Sequence, residues 1–233
     1  MSLHERLGRE TADSRAWLLA APVIQRCLSG DITRNLYLSF LTQAYHHVRH
    51  TVPLMMAVGA RLADRHDWLR GEIVHYVEEE FGHEQWILND IAIAGGDRHA
   101  AALAEPAVAT DAMVAYAYDT VMRRNPVGFF GMVYVLEGTS VSLALQAADK
   151  IQKTLDLPAQ AFTYLRSHGE LDQEHVHHLA GILERFSDED DQLAVIRCAK
   201  AMFTLYGGVF RSLETSFVPV IGKNESLPTR RMA

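Results

Sequence analysis

Residues 32–62 read ITRNLYLSFLTQAYHHVRHTVPLMMAVGARL. Apolar or aromatic side chains recur at 36, 37, 40, 41, 44, 45, 48, 52, 55, 56 and 58, the i, i+3, i+4 spacing of an amphipathic helix. Asp31 or Thr33 can cap its start, and Pro53, lacking a backbone donor, predicts a kink inside one long helix. The same period continues outward. A second helix is expected over about 66–93, stopped by Gly95-Gly96. Residues 97–109, with Pro106, read as a connection holding at most a short helical turn. A third helix over 111–124 ends at Asn125-Pro126, and a fourth, very apolar one follows over 127–155. Pro158 can start the next, carrying residues 168–186, and Asp188 caps a last helix over 189–217. No strand alternation and no repeat interrupts the pattern. The expected fold class is all-α, a single compact bundle of seven to eight helices over residues 1–218, with a flexible polar C-terminal tail at 219–233.

Composition narrows the function classes. Lys and Arg number 22 against 29 Asp and Glu, a formal net charge of −7, which argues against a nucleic-acid partner. Fifteen Gly and seven Pro are too few for the turns of a β-sandwich or barrel. Cys27 and Cys198 make neither a disulfide framework nor a zinc site and read as buried hydrophobes in a reducing compartment. Both are expected away from the chemical motifs. Glu5, Arg6, Arg9, Glu10, Asp13 and Arg15 interrupt the N-terminal stretch, so no secretory leader is expected. The apolar runs read as too short for the ~20 residues that span a bilayer. A cytoplasmic protein with no membrane partner is the expectation. The departure from ordinary composition is twelve histidines.

Three segments put acids or imidazoles where a bundle core should be apolar. In HGELDQEH (168–175), His168, Asp172 and His175 fall within roughly 60° of one another at ~100° per residue, so they share one helical stripe. Neutral imidazole and carboxylate suit divalent first-row metals; a solvated, ion-paired face is the plainer alternative. In EEEFGH (78–83), Glu80 and His83 form the E-x-x-H spacing of carboxylate-bridged di-iron bundles. Glu79 is also within reach of His83, and Gly82 can loosen the helix enough to admit it, so the choice of carboxylate stays open. Glu137 stands alone, with no other charge from 127 to 148. A buried lone carboxylate must be protonated, hydrogen-bonded or bound to a cation. A fourth helix offers Tyr45, His46, His47 and His50. His47, and less directly Tyr45, can be a further ligand or orient one; His46 and His50 read better as a partly exposed run. Phe129, Phe130, Met132 and Tyr134 are candidates to line an apolar pocket nearby.

The order of these motifs, GDIT at 30–33, EEEFGH at 78–83, VLEG at 135–138 and H-x-x-x-D-x-x-H at 168–175, resembles the heme-oxygenase-like superfamily. The branch is that of thiaminase II (TenA) and the quinone synthase PqqC, and within it the chain is most similar to the di-iron oxidases and oxygenases. The resemblance spans roughly residues 15–217 and implies a TenA/PqqC-like helical bundle, commonly a homodimer. It implies two iron ions per chain held by Glu79 or Glu80, His83, Glu137, His168, Asp172 and His175. It also implies dioxygen and a small organic substrate, an aliphatic acid, amino acid or amine, as the reacting partners. Some members carry a glutamate where this chain has Tyr45-His46-His47, which raises the standing of His47. The first alternative is a metal-free TenA- or PqqC-like enzyme in which Glu137 and His83 are catalytic acid and base. The second is a noncatalytic protein that binds a small ligand.

Overall fold

The computed structural model describes residues 1–213, the side chains of 170–174 excepted, so the expected tail at 219–233 lies outside the described residues. The chain opens with three short helices, α1 (Leu3–Glu10), α2 (Ala12–Leu19) and α3 (Pro22–Ser29). Ser2 and Glu5 cap α1 reciprocally, and Gly30, at φ 84°, ends α3 in the left-handed region. Next come α4 (Arg34–Val48) and α5 (Thr51–Arg61). Thr33 Oγ1 caps α4 by accepting from the Leu36 amide at 3.2 Å.

The single kinked helix expected over 32–62 is therefore two helices, broken at Arg49 and His50. Pro53 explains the position of the break. Its ring conflicts with a helical carbonyl four residues earlier, at Arg49, but it fits in the first turn of α5, where its missing N–H has no intrahelical partner to lose. A single 3₁₀ turn (Asp64–His66) leads into α6 (Asp67–Glu80) and α7 (His83–Ile93). These replace the continuous helix expected over 66–93. The connection after Gly95 holds a full short helix, α8 (Arg98–Leu103), because the Asp97 carboxylate accepts from the amides of His99 and Ala100.

Three long helices complete the bundle with α9 (Val108–Arg123): α10 (Phe130–Leu155), α11 (Thr163–Glu184) and α12 (Glu189–Ser212). Asp188 caps α12 as expected. The all-α class holds, in finer segments than seven or eight helices because stretches that look continuous are broken. Helix α10 packs along both α11 and α12, and α4 lies against α7. Gly131 lets α10 and α12 approach closely, since a Cβ there would overlap the Val195 carbonyl and meet the Ala199 amide at 2.7 Å. The 126–155 stretch and α12 are each long and apolar enough to cross a membrane by length and composition, contrary to the expectation of short runs. In this fold much of that apolar surface is spent on helix packing, 61% and 50% of the two windows being buried.

Two buried carboxylates tie the helices together. Asp90 in α7 reaches the start of α11, accepting from the amides of Thr163 at 3.1 Å and Tyr164 at 2.8 Å. It caps α11 from a neighbouring helix and fixes the rise of the segment that carries His168. Burial pushes its carboxyl up to about 6 despite those bonds. Asp191, in the first turn of α12, accepts from His66 Nε2 and Asn125 Nδ2, each at 2.7 Å, and from Arg65 Nη2 at 3.3 Å. Burial opposes its ionisation, but the bonds from Asn125 and His66 and the Arg65 charge hold its carboxyl below the usual range. Its contribution is thus complete above the unfolded pKa of about 3.9 and is lost as pH falls through the lower folded value. Asp191→Ala is expected to cost about 3 kcal/mol at pH 7 in urea unfolding, with the gap to wild type closing only below pH ~4.

Candidate metal centre

The break between α6 and α7 builds the centre. Phe81 leaves the helical region at ψ 117° and Gly82 follows at φ 93°. Glu80 is therefore the last residue of one helix and His83 the first of the next. Their side chains still meet, His83 Nδ1 lying 3.2 Å from Glu80 Oε2. From α11, His168 Nε2 comes within 4.0 Å of the same oxygen. One donor atom from each of Glu80, His83 and His168 falls within 4.8 Å of the others. His168 Nδ1 is 3.0 Å from the Tyr164 carbonyl, an acceptor only, so the neutral ring carries its proton there and presents a lone pair at Nε2. Trp86 stacks on His83 at 3.9 Å and holds that ring in place.

Glu137, buried on α10, lies beside this group. Its Oε1 is 3.9 Å from His175 Nδ1, and His175 Nε2 is 3.3 Å from Glu79 Oε2. The two candidate carboxylates thus both face α11, Glu80 toward His168 and Glu79 toward His175. Asp172 is on the same helix, but its side chain lies outside the described residues. A cavity of about 80 Å³ is lined by His47, Glu80, Glu137 and His168, with Phe129 and Met132 among its apolar walls. Burial opposes the Glu80 charge, yet the His83 bond and the nearby imidazoles of His168 and His175 hold its carboxyl below the usual range. Burial, reinforced by His168, His50 and His46, lowers the His47 pKa to about 3. His47 is a neutral ring at physiological pH, and its Nδ1 has no hydrogen-bond partner among the described residues.

This geometry meets an independent finding from sequence. Residues 38–207 match the profile of a family described as iron-containing redox enzymes. The chain belongs to that family. In fold, this iron-containing redox family member is similar to a domain of unknown function with a heme oxygenase-like fold from Shewanella denitrificans OS217, at 26% identity and TM-score 0.83, covering 92% of this chain and 93% of that one. It is also similar to a TenA homologue from P. horikoshii OT3 (12% identity, TM-score 0.75, 91% and 98% covered). A third likeness is to heme oxygenase-1 from the cyanobacterium Synechocystis sp. PCC6803 in complex with heme (15%, 0.71, 92% and 93%). No curated protein matches the sequence.

The family's iron finds a suitable donor set here: a buried carboxylate and two imidazoles in mutual reach, with a lone pair presented by His168. Beside the cavity runs an apolar chamber of about 100 Å³ whose lining includes Val23, Ile24, Leu36, Phe40 and Leu143. Ser140, Tyr164, His168 and Tyr206 line both spaces, so the chamber abuts the centre. Cys27 lines it too, rather than standing apart from the motifs, and burial pushes its thiol up to about 11, which keeps it protonated.

Other expectations change. Phe130 packs on Tyr76 and Phe186, and Tyr134 on Phe203, so neither lines the cavity. Tyr45 is buried beside His46 with Arg49 over its ring at 5.5 Å, and it is not among the cavity-lining residues. His46 is buried rather than partly exposed, and His50 Nδ1 pairs with the Tyr118 hydroxyl at 3.1 Å. His46 and His47 leave α4 in different directions and His50 lies in the break that follows, so only His47 lines the cavity. Trp86 and Asp90 went unnoticed in the sequence; the one signal was a charge inside the apolar run ILNDIAIA at 87–94.

Because no atom lies within 4 Å of a Cβ added at Gly82, Gly82→Ala isolates the cost of its left-handed backbone. A loss of about 1–2 kcal/mol is expected in thermal or urea unfolding, with no steric component.

Proposed function

We propose that the protein is a nonheme di-iron oxidase or oxygenase that oxidises a small organic substrate with dioxygen. The observation that carries this reading is the convergence of Glu80, His83 and His168 beside Glu137, in a member of an iron-containing redox family. Glu80, His83 and His168 would hold one iron; Glu137, His175 and Glu79, with Asp172 from the same helical stripe, would serve the other. Bound iron would supply the reduction of dioxygen and the oxidising power.

The chain's own groups set the conditions. The carboxylates offset the charge of the ions in a site largely removed from water. The Tyr164 carbonyl keeps the His168 lone pair turned toward Glu80. His47 stays neutral, as a ligand or an acceptor must. Among the described residues no Asp, Glu, Lys or Arg lines the chamber that ends at His168, which favours a substrate with an uncharged aliphatic body and its polar end at the centre.

Anaerobic loading with ferrous iron tests the reading. Wild type should take up roughly two irons per chain and His168→Ala clearly fewer. Less than one iron in wild type, unchanged by His168→Ala, would overturn it, and turnover by metal-free protein would point instead to acid–base chemistry at Glu137 and His83. Leu143→Arg, which puts a cation into the chamber, should keep its iron but lower kcat/KM for an aliphatic substrate at least about tenfold, ~1.4 kcal/mol in oxygen-uptake assays.

A further inference from the structure

Outside the centre, α6 and α11 carry Glu72, His75 and His178, which its ligand chemistry does not use and which lead to the proposed ligands Glu79, His175 and Glu137. Glu72 Oε2 is 3.1 Å from His178 Nε2. The His178 and His75 rings meet edge to face at 5.3 Å, and His75 Nε2 is 3.4 Å from Glu79 Oε1. The other Glu79 oxygen is 3.3 Å from His175 Nε2, whose ring reaches Glu137 through Nδ1 at 3.9 Å. Side-chain exposure is 24% at Glu72, 37% at His178, 51% at His75 and 35% at Glu79, and drops to 7% at His175 and 9% at Glu137. Glu137 lines the same cavity as Glu80 and His168.

We propose that this ladder is the loading route by which a divalent first-row cation travels from the surface to the buried centre, an inference that rests on the metal reading above. A dication stripped of water cannot cross an apolar wall without large cost, so its path needs successive donors. The apolar chamber has no Asp, Glu, Lys or Arg among its described lining residues and serves poorly for this. The ladder supplies a carboxylate or imidazole at each step, with carboxylate–imidazole links of 3.1–3.9 Å and the His75 and His178 rings in edge-to-face contact between them. Its outer end gathers cations: Glu72 and Glu79 sit there on an acidic chain, with Arg185 at 3.2 Å from Glu72 marking its edge. Fully buried Tyr76, edge-on to His175 and tilted against His178, forms the wall behind it.

A route and a ligand leave different kinetic marks. Removing a step on the route slows uptake and release by the same factor and leaves affinity unchanged, whereas removing a ligand weakens affinity. The experiment is stopped-flow absorbance of cobalt(II) uptake by the full chain, paired with release to a chelator and with equilibrium stoichiometry. The His75→Ala/His178→Ala double variant alters two partly exposed side chains, and circular dichroism checks its fold. It should load and release at least about tenfold more slowly than wild type, with unchanged dissociation constant and stoichiometry. His99→Ala, an exposed histidine off the ladder, should behave as wild type. Wild-type rates in the double variant, or a weakened affinity with uptake unchanged, would overturn the route while leaving the metal reading intact. Failure of wild type to bind cobalt or iron at all would overturn both.

Discussion

Ionisable side chains held out of water between α6, α7, α10 and α11 constrain this protein more than any apolar contact. An isolated carboxylate in a helical core is costly, and Glu80 is kept ionised only by the imidazoles placed around it. Each such imidazole must in turn be aimed. Tyr164 orients His168, Trp86 stacks on His83, and Asp90 pins the first turn of α11 so that both arrive at the right height. Loss of one of these imidazoles leaves the Glu80 charge short of a counterpart, a larger penalty than a missing methyl group.

The backbone accommodates this polar centre through breaks. A continuous helix through EEEFGH would keep Glu80 and His83 on one straight stripe. The turn at Phe81 and Gly82 instead places them at adjoining ends of two helices, where His168 of α11 comes up beside both. The interruption at Arg49 and His50 does similar work for α4, which sends His47 inward while His46 and His50 find other neighbours. Polar and apolar functions are divided in space: carboxylates and imidazoles face one cavity, and aliphatic side chains from α3, α4 and α10 enclose the other. His168, Tyr164, Ser140 and Tyr206 stand at the boundary, where a ligand's polar end and apolar body would part.

Much of this was readable in one dimension. The periodicity at 32–62 and beyond marked an all-α chain because burial of one helix face leaves a 3.6-residue rhythm in any sequence that folds this way. The isolation of Glu137 and the spacing of His168 and His175 marked polar groups bound for the interior, since composition records what must be buried even when it does not say against what. Capping residues Thr33 and Asp188 announced helix starts through purely local hydrogen bonds.

What the linear order left open depends on groups far apart along it. That His83 meets Glu80 across a helix break depends on the left-handed angle at Gly82, and glycine permits that angle without requiring it. Cys27 met the chamber through the packing of α3, and Asp90 found its role only when the amides of Thr163 and Tyr164 came within reach. Local rules fix the helices and identify which side chains are expensive to bury. The pairing of those side chains is a property of helix packing, because the Coulomb and desolvation energies that decide it depend on distances in space rather than on separation in the chain.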